Sequence, residues 1–277
     1  LNSYGYTGEY VFDVHPPHTK IFISLVAKLL GYQGGVDFQT IGQSLSGANV
    51  FAMRFLPALF GSLLPVLFYL FLRLLGAWQT TATLGAIAVA LDGGFLLQTR
   101  TIAQDGILIF WVLSSITVLL ATKDRYRFWG TVACGFLCGM AVGTKLTGLV
   151  APFLCGVILL KRFFKEKEYL EELARIGMFV GVMASVYVFG WWLHFTLLTG
   201  PGPGDAFYVR SGVFWTDFVK LQQVMHAANV RITTFHSYAS HWYGWPFLHK
   251  PSFYWVQDQR LIRFLGNRAV WCGGCAF

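Results

Sequence analysis

An acid, an imidazole and an amine lie within one short stretch near the start of the chain. They are Asp13, His15 and Lys20, and Pro16 and Pro17 between them restrict the backbone and fix the direction in which the chain continues. A carboxylate and an imidazole can exchange a proton with a substrate, and an ammonium group can bind a phosphate. Short polar motifs also arise by chance, so a solvated loop that ends in a turn explains the same residues.

Three further cations stand at the ends of apolar segments. Arg100 and Asp105 share a short polar turn, where the guanidinium could bind a phosphate through two hydrogen bonds or could pair with Asp105 and close the turn. Lys145 follows the glycine-rich stretch 135–143, and it could bind a phosphate or extend to the membrane interface. Arg54 opens a long apolar segment, where anchoring at the interface is the simpler interpretation.

The composition places these residues in a membrane protein. Of the 277 residues, 55% are hydrophobic and only 12% are charged, whereas soluble domains carry roughly 25% charged residues. This pattern excludes a soluble enzyme, a disordered chain and a nucleic-acid-binding module. The net charge of +8 does not indicate nucleic acid, because the basic residues cluster in short loops between apolar segments.

Six apolar segments predict membrane-spanning helices, flanked by two polar regions. Residues 1–50 are mixed, and the apolar run 21–30 is too short to span a bilayer, so we expect an interfacial helix there. Residues 199–267 form an aromatic and polar stretch with a possible amphipathic helix at 215–230, and 268–277 would begin a further span. The six predicted spans are 51–75, 79–98, 106–122, 128–144, 147–163 and 175–198.

Loop charge predicts the orientation of these spans. Among the short segments that join the predicted spans, those on one side carry nine Lys and Arg residues and the comparable segments on the other side carry five, so the first side is expected to face the cytoplasm. The opposite, extracytoplasmic face then collects the polar residues that are distant in sequence. They are Asp13, His15, Lys20, Arg54, Arg100, Asp105, Lys145 and His241.

Five strings, in this order along the chain, resemble the protein O-mannosyltransferase family, which uses dolichyl- or polyprenyl-phosphate mannose and belongs to the GT-C class of membrane glycosyltransferases. The string Tyr-x-Gly-Glu-Tyr-x-Phe-Asp-Val-His-Pro-Pro at 6–17 resembles the end of the family's first external loop. The other four are Arg54-Phe-Leu-Pro-Ala-Leu-Phe-Gly61, Gln98-Thr-Arg100 with Asp105, Gly143-Thr-Lys145-Leu-Thr-Gly148-Leu, and Ser240-His-Trp-Tyr-Gly-Trp-Pro246 followed by Gly266-Asn267.

The resemblance implies an all-α multi-span membrane protein with a GT-C-like transmembrane helical bundle. It implies transfer of mannose, with inversion, from a polyprenyl-phosphate donor to Ser or Thr of secreted or membrane proteins at the extracytoplasmic face of the cell membrane. No cofactor is required in the family, although some relatives in the wider class use a divalent metal. A dimer is compatible with the resemblance, and nucleic acid is not an expected partner.

The resemblance also implies roles for individual residues. The catalytic base would be an acidic pair just upstream of the position that matches Leu1; both ends of the chain look cut, so we expect the fragment by itself to be inactive. Asp13 and His15 would shape the sugar and acceptor pocket, and Arg54 would stabilise the catalytic loop or bind the donor. The remaining expected roles are donor-phosphate binding for Arg100, Lys145 and, more weakly, Lys20, orientation of Arg100 for Asp105, and acceptor binding for His241, Trp242 and Trp245.

Two features depart from the family pattern, and two other functions stay open. His18-Thr19 replaces the usual Leu-Gly, and the loop 199–267 is too short for the β-trefoil insert of the eukaryotic enzymes, so the resemblance is to the shorter bacterial form. One alternative is a GT-C enzyme that transfers a sugar or aminosugar to a lipid or cell-wall acceptor. The other is a transporter, which would need polar residues near the middle of the bilayer. The spacing of Asp13 and His15 is not by itself a metal signature, and the cysteines of the apolar spans, Cys134, Cys138 and Cys155, are expected to pack.

Overall fold

The computed structural model describes residues 1–36, 45, 47–123, 127–166, 168–231, 238–257 and 260–273. These residues form mainly α-helices, with one antiparallel hairpin of two short strands. The helices are α1 (His18–Leu29), α2 (Val50–Leu74), α3 (Gln79–Ala90), α4 (Gly93–Arg100), α5 (Asp105–Ala121), α6 (Arg127–Thr144), α7 (Val150–Glu166), α8 (Tyr169–Leu197), α9 (Phe214–Val230) and α10 (Arg268–Gly273). The strands are β1 (Phe253–Gln257) and β2 (Arg260–Arg263).

Each predicted span coincides with a helix or, for 79–98, with the pair α3 and α4. By length and apolar composition, three helical segments of the described residues could cross a membrane, namely Val50–Leu74, Leu146–Lys165 and Tyr169–Leu197. The pair α3–α4 is a fourth candidate, and α5 is apolar but only 17 residues long. The positions of the helices agree with the sequence analysis, and the count of six spans stays a prediction.

The span predicted at 79–98 is present as two helices, because the chain bends there by 54° between α3 and α4. Asp92 causes the break, since its Oδ1 accepts a hydrogen bond from the backbone N–H of Phe95 at 3.0 Å and so caps α4. The other carboxylate oxygen accepts from the backbone N–H of Asn267 at 2.9 Å and from Trp271 Nε1 at 2.7 Å. The bend is therefore the point where the C-terminal segment docks on the bundle.

Helix α6 lies at the centre of the bundle, between α5 and α8. Glycines bring α6 close to α8: a Cβ added at Gly139 would lie 2.7 Å from the side chain of Val186, and one at Gly135 would lie 2.9 Å from the carbonyl of Phe179. Small residues that allow such close approach are typical of membrane helix pairs. The glycine-rich stretch thus packs helices, as its composition predicts.

The segments after α8 hold residues 8–15 against the end of this helix. Tyr10 pairs with the loop after α8, since its N–H donates to the carbonyl of Gly200 at 3.1 Å and its carbonyl accepts from Gly204 at 2.9 Å. Helix α9, predicted at 215–230, packs on Trp191 of α8. Its Asn229 donates to the carbonyl of Val14 at 3.1 Å, which fixes the backbone between Asp13 and His15.

The hairpin of β1 and β2 was not expected from the sequence. The predicted helix at 21–30 is present as α1, and the start of the segment 268–277 is helical as α10, while 274–277 lie outside the described residues. The polar ends of α4, α5 and α6 and the N-terminus of α1 carry the residues that the sequence analysis singled out.

Candidate active site

Asp13, His15 and Lys20 form one bonded unit at the start of α1. The ammonium of Lys20 lies 2.9 Å from Asp13 Oδ2 and donates to the carbonyl of His15 at 2.9 Å. The backbone N–H of His15 donates to Asp13 Oδ1 at 2.8 Å, which closes the unit. Burial lowers the pKa of Lys20, and the adjacent carboxylate of Asp13 acts in the opposite direction. The motif is thus a folded turn that presents a largely buried cation.

A second ion pair joins Lys145 to Asp105, with 2.6 Å between Nζ and Oδ1. Asp105 is the first residue of α5, and Lys145 stands between α6 and the short 3₁₀ turn Leu146–Leu149. Asp105 was expected to orient Arg100, but its partner is Lys145. Arg100 ends α4, is exposed, and makes no hydrogen bond or ion pair with another described residue.

The imidazole of His15 lies within electrostatic range of both ion pairs. Burial lowers the pKa of His15, and the charges of both ion pairs act on the ring, the two lysines lowering the pKa and the two aspartates raising it. The ring therefore stays neutral at pH 7 and can both donate and accept a hydrogen bond. We call this group of residues the His15 cluster; its members are Asp13, His15, Lys20, Asp105 and Lys145.

A tight turn presents Lys145 to the cluster. The N–H of Lys145 donates to the carbonyl of Ala141 at 3.3 Å, and the N–H of Gly148 donates to the carbonyl of Lys145 at 2.8 Å. Gly148 lies against the backbone of Ala141 so closely that a Cβ at this position would overlap it. The glycine in the string Gly143-Thr-Lys145-Leu-Thr-Gly148 is thus required for the turn.

Two residues near the cluster were missed in the sequence analysis. Tyr4 and His194 line a narrow cavity together with Asp13, His15 and Lys20, and the Tyr4 hydroxyl lies 2.8 Å from His194 Nδ1. Burial raises the pKa of Tyr4, and the charge of Asp13 adds to the effect. His194 Nε2 is buried and has no hydrogen-bond partner among the described residues. An imidazole inside an apolar span was the available signal, because such groups are costly without a partner or a function.

The hairpin covers the turn between α4 and α5. Gln98 donates to the hydroxyl of Tyr254 on β1. Burial raises the pKa of Tyr254, and the charge of Asp105 contributes in the same direction. The hairpin thus reaches the edge of the His15 cluster near Arg100.

Four predicted site residues lie outside the cluster's contacts. Arg54, the fifth residue of α2, is exposed and has no hydrogen bond or ion pair to another described residue. His241, Trp242 and Trp245 are exposed in and beside the 3₁₀ turn Trp242–Gly244. His241 stacks on Tyr243 with ring centres 5.1 Å apart, and no bond or ring contact joins these three side chains to the cluster within the described residues. Their acceptor role stays a prediction.

Three cysteines lie together in the bundle core, away from the cluster. The sulfur atoms of Cys134, Cys138 and Cys155 lie within 4.8 Å of one another, and all three residues are buried. They belong to the apolar core around α6 and α7, so they pack as the sequence analysis expected. Sulfur is a possible metal ligand, but none of these three cysteines is among the predicted site residues.

Asp92→Asn is expected to release the C-terminal segment from the bundle. The substitution keeps an oxygen that can cap α4, but an amide NH₂ cannot accept from Asn267 N–H and Trp271 Nε1–H. Two donors then lose their partner, and we expect a loss of about 1–3 kcal/mol in the stability of this contact. Limited proteolysis between residues 238 and 257 should accelerate, whereas Asp205→Asn, in the loop after α8, should leave this cleavage unchanged. Equal cleavage rates for Asp92→Asn and the wild type would contradict the docking role.

The family models match both parts of the chain. Residues 2–199 match the model described as dolichyl-phosphate-mannose-protein mannosyltransferase, and residues 214–277 match the C-terminal four TMM region of protein-O-mannosyltransferase. The chain belongs to the protein O-mannosyltransferase family. The family resemblance stated from the five strings is thereby confirmed, and the chain is a membrane protein of this glycosyltransferase family.

Individual mannosyltransferases align with part of their length. Dolichyl-phosphate-mannose–protein mannosyltransferase 1 of Saccharomyces cerevisiae is 28% identical over 216 residues, which are 73% of this chain and 26% of that protein. Protein O-mannosyltransferase 1 of Drosophila melanogaster is 31% identical over 216 residues, with 71% of this chain and 24% of that protein covered. This chain therefore spans about a quarter of the length of these two relatives. Both are eukaryotic, so the expected likeness to the bacterial form stays a prediction.

A solved structure supports the fold. The S. cerevisiae protein O-mannosyltransferase Pmt1-Pmt2 complex bound to the sugar donor matches with a TM-score of 0.70 and 28% identity, covering 75% of this chain and 30% of that chain. The expected GT-C-like helical bundle is confirmed by this similarity.

Proposed function

We propose that this mannosyltransferase family member transfers mannose from a polyprenyl-phosphate donor to a Ser or Thr hydroxyl of a protein on the extracytoplasmic side of the cell membrane. The observation that carries the proposal is the His15 cluster, in which His15 and Lys20 of one segment lie near Lys145 of a distant segment at one end of the bundle. The relatives are named for this reaction, and the similar solved complex is described as bound to the sugar donor.

The reaction requires positive charge at the leaving group. The acceptor oxygen attacks the anomeric carbon while the bond from that carbon to the phosphate oxygen breaks, which inverts the configuration. The hydroxyl proton passes to a base, and the departing polyprenyl phosphate keeps the bonding electrons. Fixed cations stabilise this developing negative charge. Lys145 and Lys20 are placed for that role, and the exposed guanidinium of Arg100 can add a bidentate contact.

The carboxylates of the cluster hold the cations before the donor arrives. Asp105 neutralises Lys145 and Asp13 neutralises Lys20, so neither ammonium is buried without a counter-charge. His15, neutral at pH 7, is suited to a hydrogen bond with a sugar hydroxyl. In this proposal the main base is the acidic pair expected upstream of Leu1, and Asp13 and His15 shape the sugar pocket.

An apolar groove favours a lipid-linked donor over a water-soluble sugar nucleotide. Helices α2, α4 and α5 line it with Phe68, Phe95 and Leu113, and it reaches Thr147, two residues beyond Lys145. A hydrocarbon chain in this groove would place its phosphate near the turn that presents Lys145, because apolar surface accommodates the polyprenyl tail. No divalent metal is invoked, since lysines supply the charge. Because the solved relative is a complex of two mannosyltransferases, we also propose that this protein works beside a second, related chain.

Arg100→Ala is expected to impair use of the donor much more than use of the acceptor. The substitution removes a guanidinium that the proposal assigns to the donor phosphate, so the KM for the lipid donor should rise by about tenfold or more, while the KM for an acceptor peptide stays unchanged. Membranes that contain the protein are supplied with polyprenyl-phosphate mannose carrying labelled mannose, and label is counted in protein and in lipid extract.

The control is Arg73→Ala, which removes an exposed arginine in the last turn of α2. It should leave both KM values unchanged. Equal losses for donor and acceptor in Arg100→Ala would contradict the phosphate assignment. Label in the lipid extract instead of protein would favour the enzyme with a lipid or cell-wall acceptor, and net solute flux without transfer would favour a transporter.

A further inference from the structure

The two residues that precede Lys20 contact the two residues that precede Lys145, each with its counterpart. The strings His18-Thr19-Lys20 and Gly143-Thr144-Lys145 lie side by side where α1 meets the end of α6. His18 packs on Gly143, and the hydroxyls of Thr19 and Thr144 lie 2.6 Å apart in the protein interior. In each string, the residue that precedes the lysine of the His15 cluster is therefore held by a buried contact.

The direction of the hydrogen bond between the threonines follows from a third group. Thr144 Oγ1 lies 2.7 Å from the carbonyl of Met140, which can only accept, so the Thr144 hydroxyl donates to it. The proton between the two hydroxyls must then come from Thr19. Both side chains are fully buried, so neither hydroxyl has water as an alternative partner. The hydroxyl of Thr19 thus depends on Thr144 for its only hydrogen bond within the described residues.

His18 fixes the same contact to α8. Its Nε2 lies 2.9 Å from the carbonyl of Val186 and must carry the proton, and its ring stacks on Tyr187 with centres 5.7 Å apart. A Cβ added at Gly143 or at Gly190 would overlap the imidazole, so both glycines form the socket for this ring. Only 6% of His18 is exposed. The glycine socket and the hydrogen bond between the two threonines together fix the position of α1 along α6 and α8.

We propose that His18 and Thr19 are positioning residues that set the separation of the Lys20 and Lys145 ammonium groups across the donor phosphate. The proposal rests on the proposed function, in which these two ammonium groups bind the leaving phosphate. Neither His18 nor Thr19 touches the substrate in this arrangement. They act through the lysines, because a shift of α1 along α6 moves Lys20 relative to Lys145 by the same amount.

The first test is Thr19→Val, which keeps the shape of the side chain and removes its hydroxyl. Kinetics are measured in membranes that contain the protein, with polyprenyl-phosphate mannose and an acceptor peptide varied in turn. We expect the donor KM to rise by about tenfold, since misplacement of charged groups by about 1 Å is enough to lose up to about a hundredfold in rate. The acceptor KM stays unchanged, and Thr19→Ser, which restores the hydroxyl, returns the donor KM to the wild-type value.

The matched control is Thr131→Val, which removes a buried hydroxyl from α6 at the end away from the cluster. Thr131 Oγ1 donates at 2.8 Å to the carbonyl of Arg127 within its own helix. If the donor KM of Thr19→Val rises no more than the donor KM of Thr131→Val, the proposal is overturned. A Thr19→Val variant whose activity falls only in proportion to the amount of folded protein, with both KM values unchanged, would also overturn it.

A second pair of variants decides the question where Thr19→Val does not accumulate in membranes. Gly190→Ala should raise the donor KM, because the added Cβ displaces the His18 ring. In the background of His18→Ala the same substitution should have no further effect, since the ring it collides with is gone. Additive effects of the two substitutions would overturn the role of His18.

Failure of the proposed function gives a different pattern. If Lys145→Gln and Lys20→Gln leave the donor KM unchanged, the phosphate assignment itself is wrong and the positioning role falls with it. If the lysine variants raise the donor KM while Thr19→Val and the Gly190→Ala pair do not, only the positioning proposal is overturned.

Discussion

Lys145→Gln is expected to lower kcat/KM for the lipid donor by about two orders of magnitude. The substitution removes an ammonium group that the proposal places on the leaving phosphate. It also leaves the carboxylate of Asp105, now 2.6 Å from Nζ, without its cation. An unpaired carboxylate at this position repels the phosphate, so the loss exceeds that of one missing contact. Initial rates of mannose transfer at varied donor concentration measure the effect.

Two companion variants separate these causes. The double variant Lys145→Gln with Asp105→Asn should recover part of the loss, because the repulsive charge is gone while the missing cation is not replaced. Lys161→Gln, which replaces an exposed lysine near the C-terminal end of α7, should behave as the wild type. A double variant no better than Lys145→Gln would show that Asp105 has no electrostatic part in donor binding, and equal rates for Lys145→Gln and Lys161→Gln would contradict the assignment of Lys145.

Gly148→Ala is expected to have the second largest effect, on both stability and donor use. A Cβ at this position overlaps the backbone carbonyl of Ala141, which cannot rotate away as a side chain would. The turn after α6 must open, and overpacking of this kind costs about 1–3 kcal/mol in the free energy of unfolding. Because the same turn presents Lys145, transfer from the donor should fall more than the loss of folded protein explains. Thermal unfolding in detergent and transfer rates are measured together.

The control for this prediction lies in the next helix. Gly156 of α7 has open space around its Cα, so Gly156→Ala should leave unfolding and transfer unchanged. If Gly148→Ala loses stability but keeps the wild-type donor KM, the turn supports the fold without placing Lys145.

The sequence predicted the helices well because apolar composition runs continuously along most of them. The amphipathic segment 215–230 and the short apolar run 21–30 correspond to α9 and α1. The bend at Asp92 was not predicted, since it depends on Asn267 and Trp271, which meet this carboxylate only in the folded chain. The hairpin was missed for a related reason, because its short strands lie in an aromatic stretch without clear alternation.

For the site, the predicted topology showed which residues lie on the same face, but it did not show which of them form ion pairs. Loop charge grouped Asp13, His15, Lys20, Asp105 and Lys145 on one face, and the structure brings these five together. The sequence neighbours Arg100 and Asp105 were expected to pair, whereas Asp105 meets Lys145. That choice depends on how the turn before α5 and the turn after α6 approach each other, which spacing along the chain cannot show. Tyr4 carries no local motif and becomes visible only through its contact with His194 across 190 positions.

An experimental structure of the protein in a lipid nanodisc with polyprenyl-phosphate mannose bound would test the central claim most directly. We expect phosphate oxygens within hydrogen-bond distance, about 2.7–3.2 Å, of the ammonium nitrogens of Lys145 and Lys20, with the lipid tail in the groove beside Phe68 and Phe95. A phosphate bound away from both lysines, with the Lys145–Asp105 and Lys20–Asp13 pairs unchanged, would contradict it.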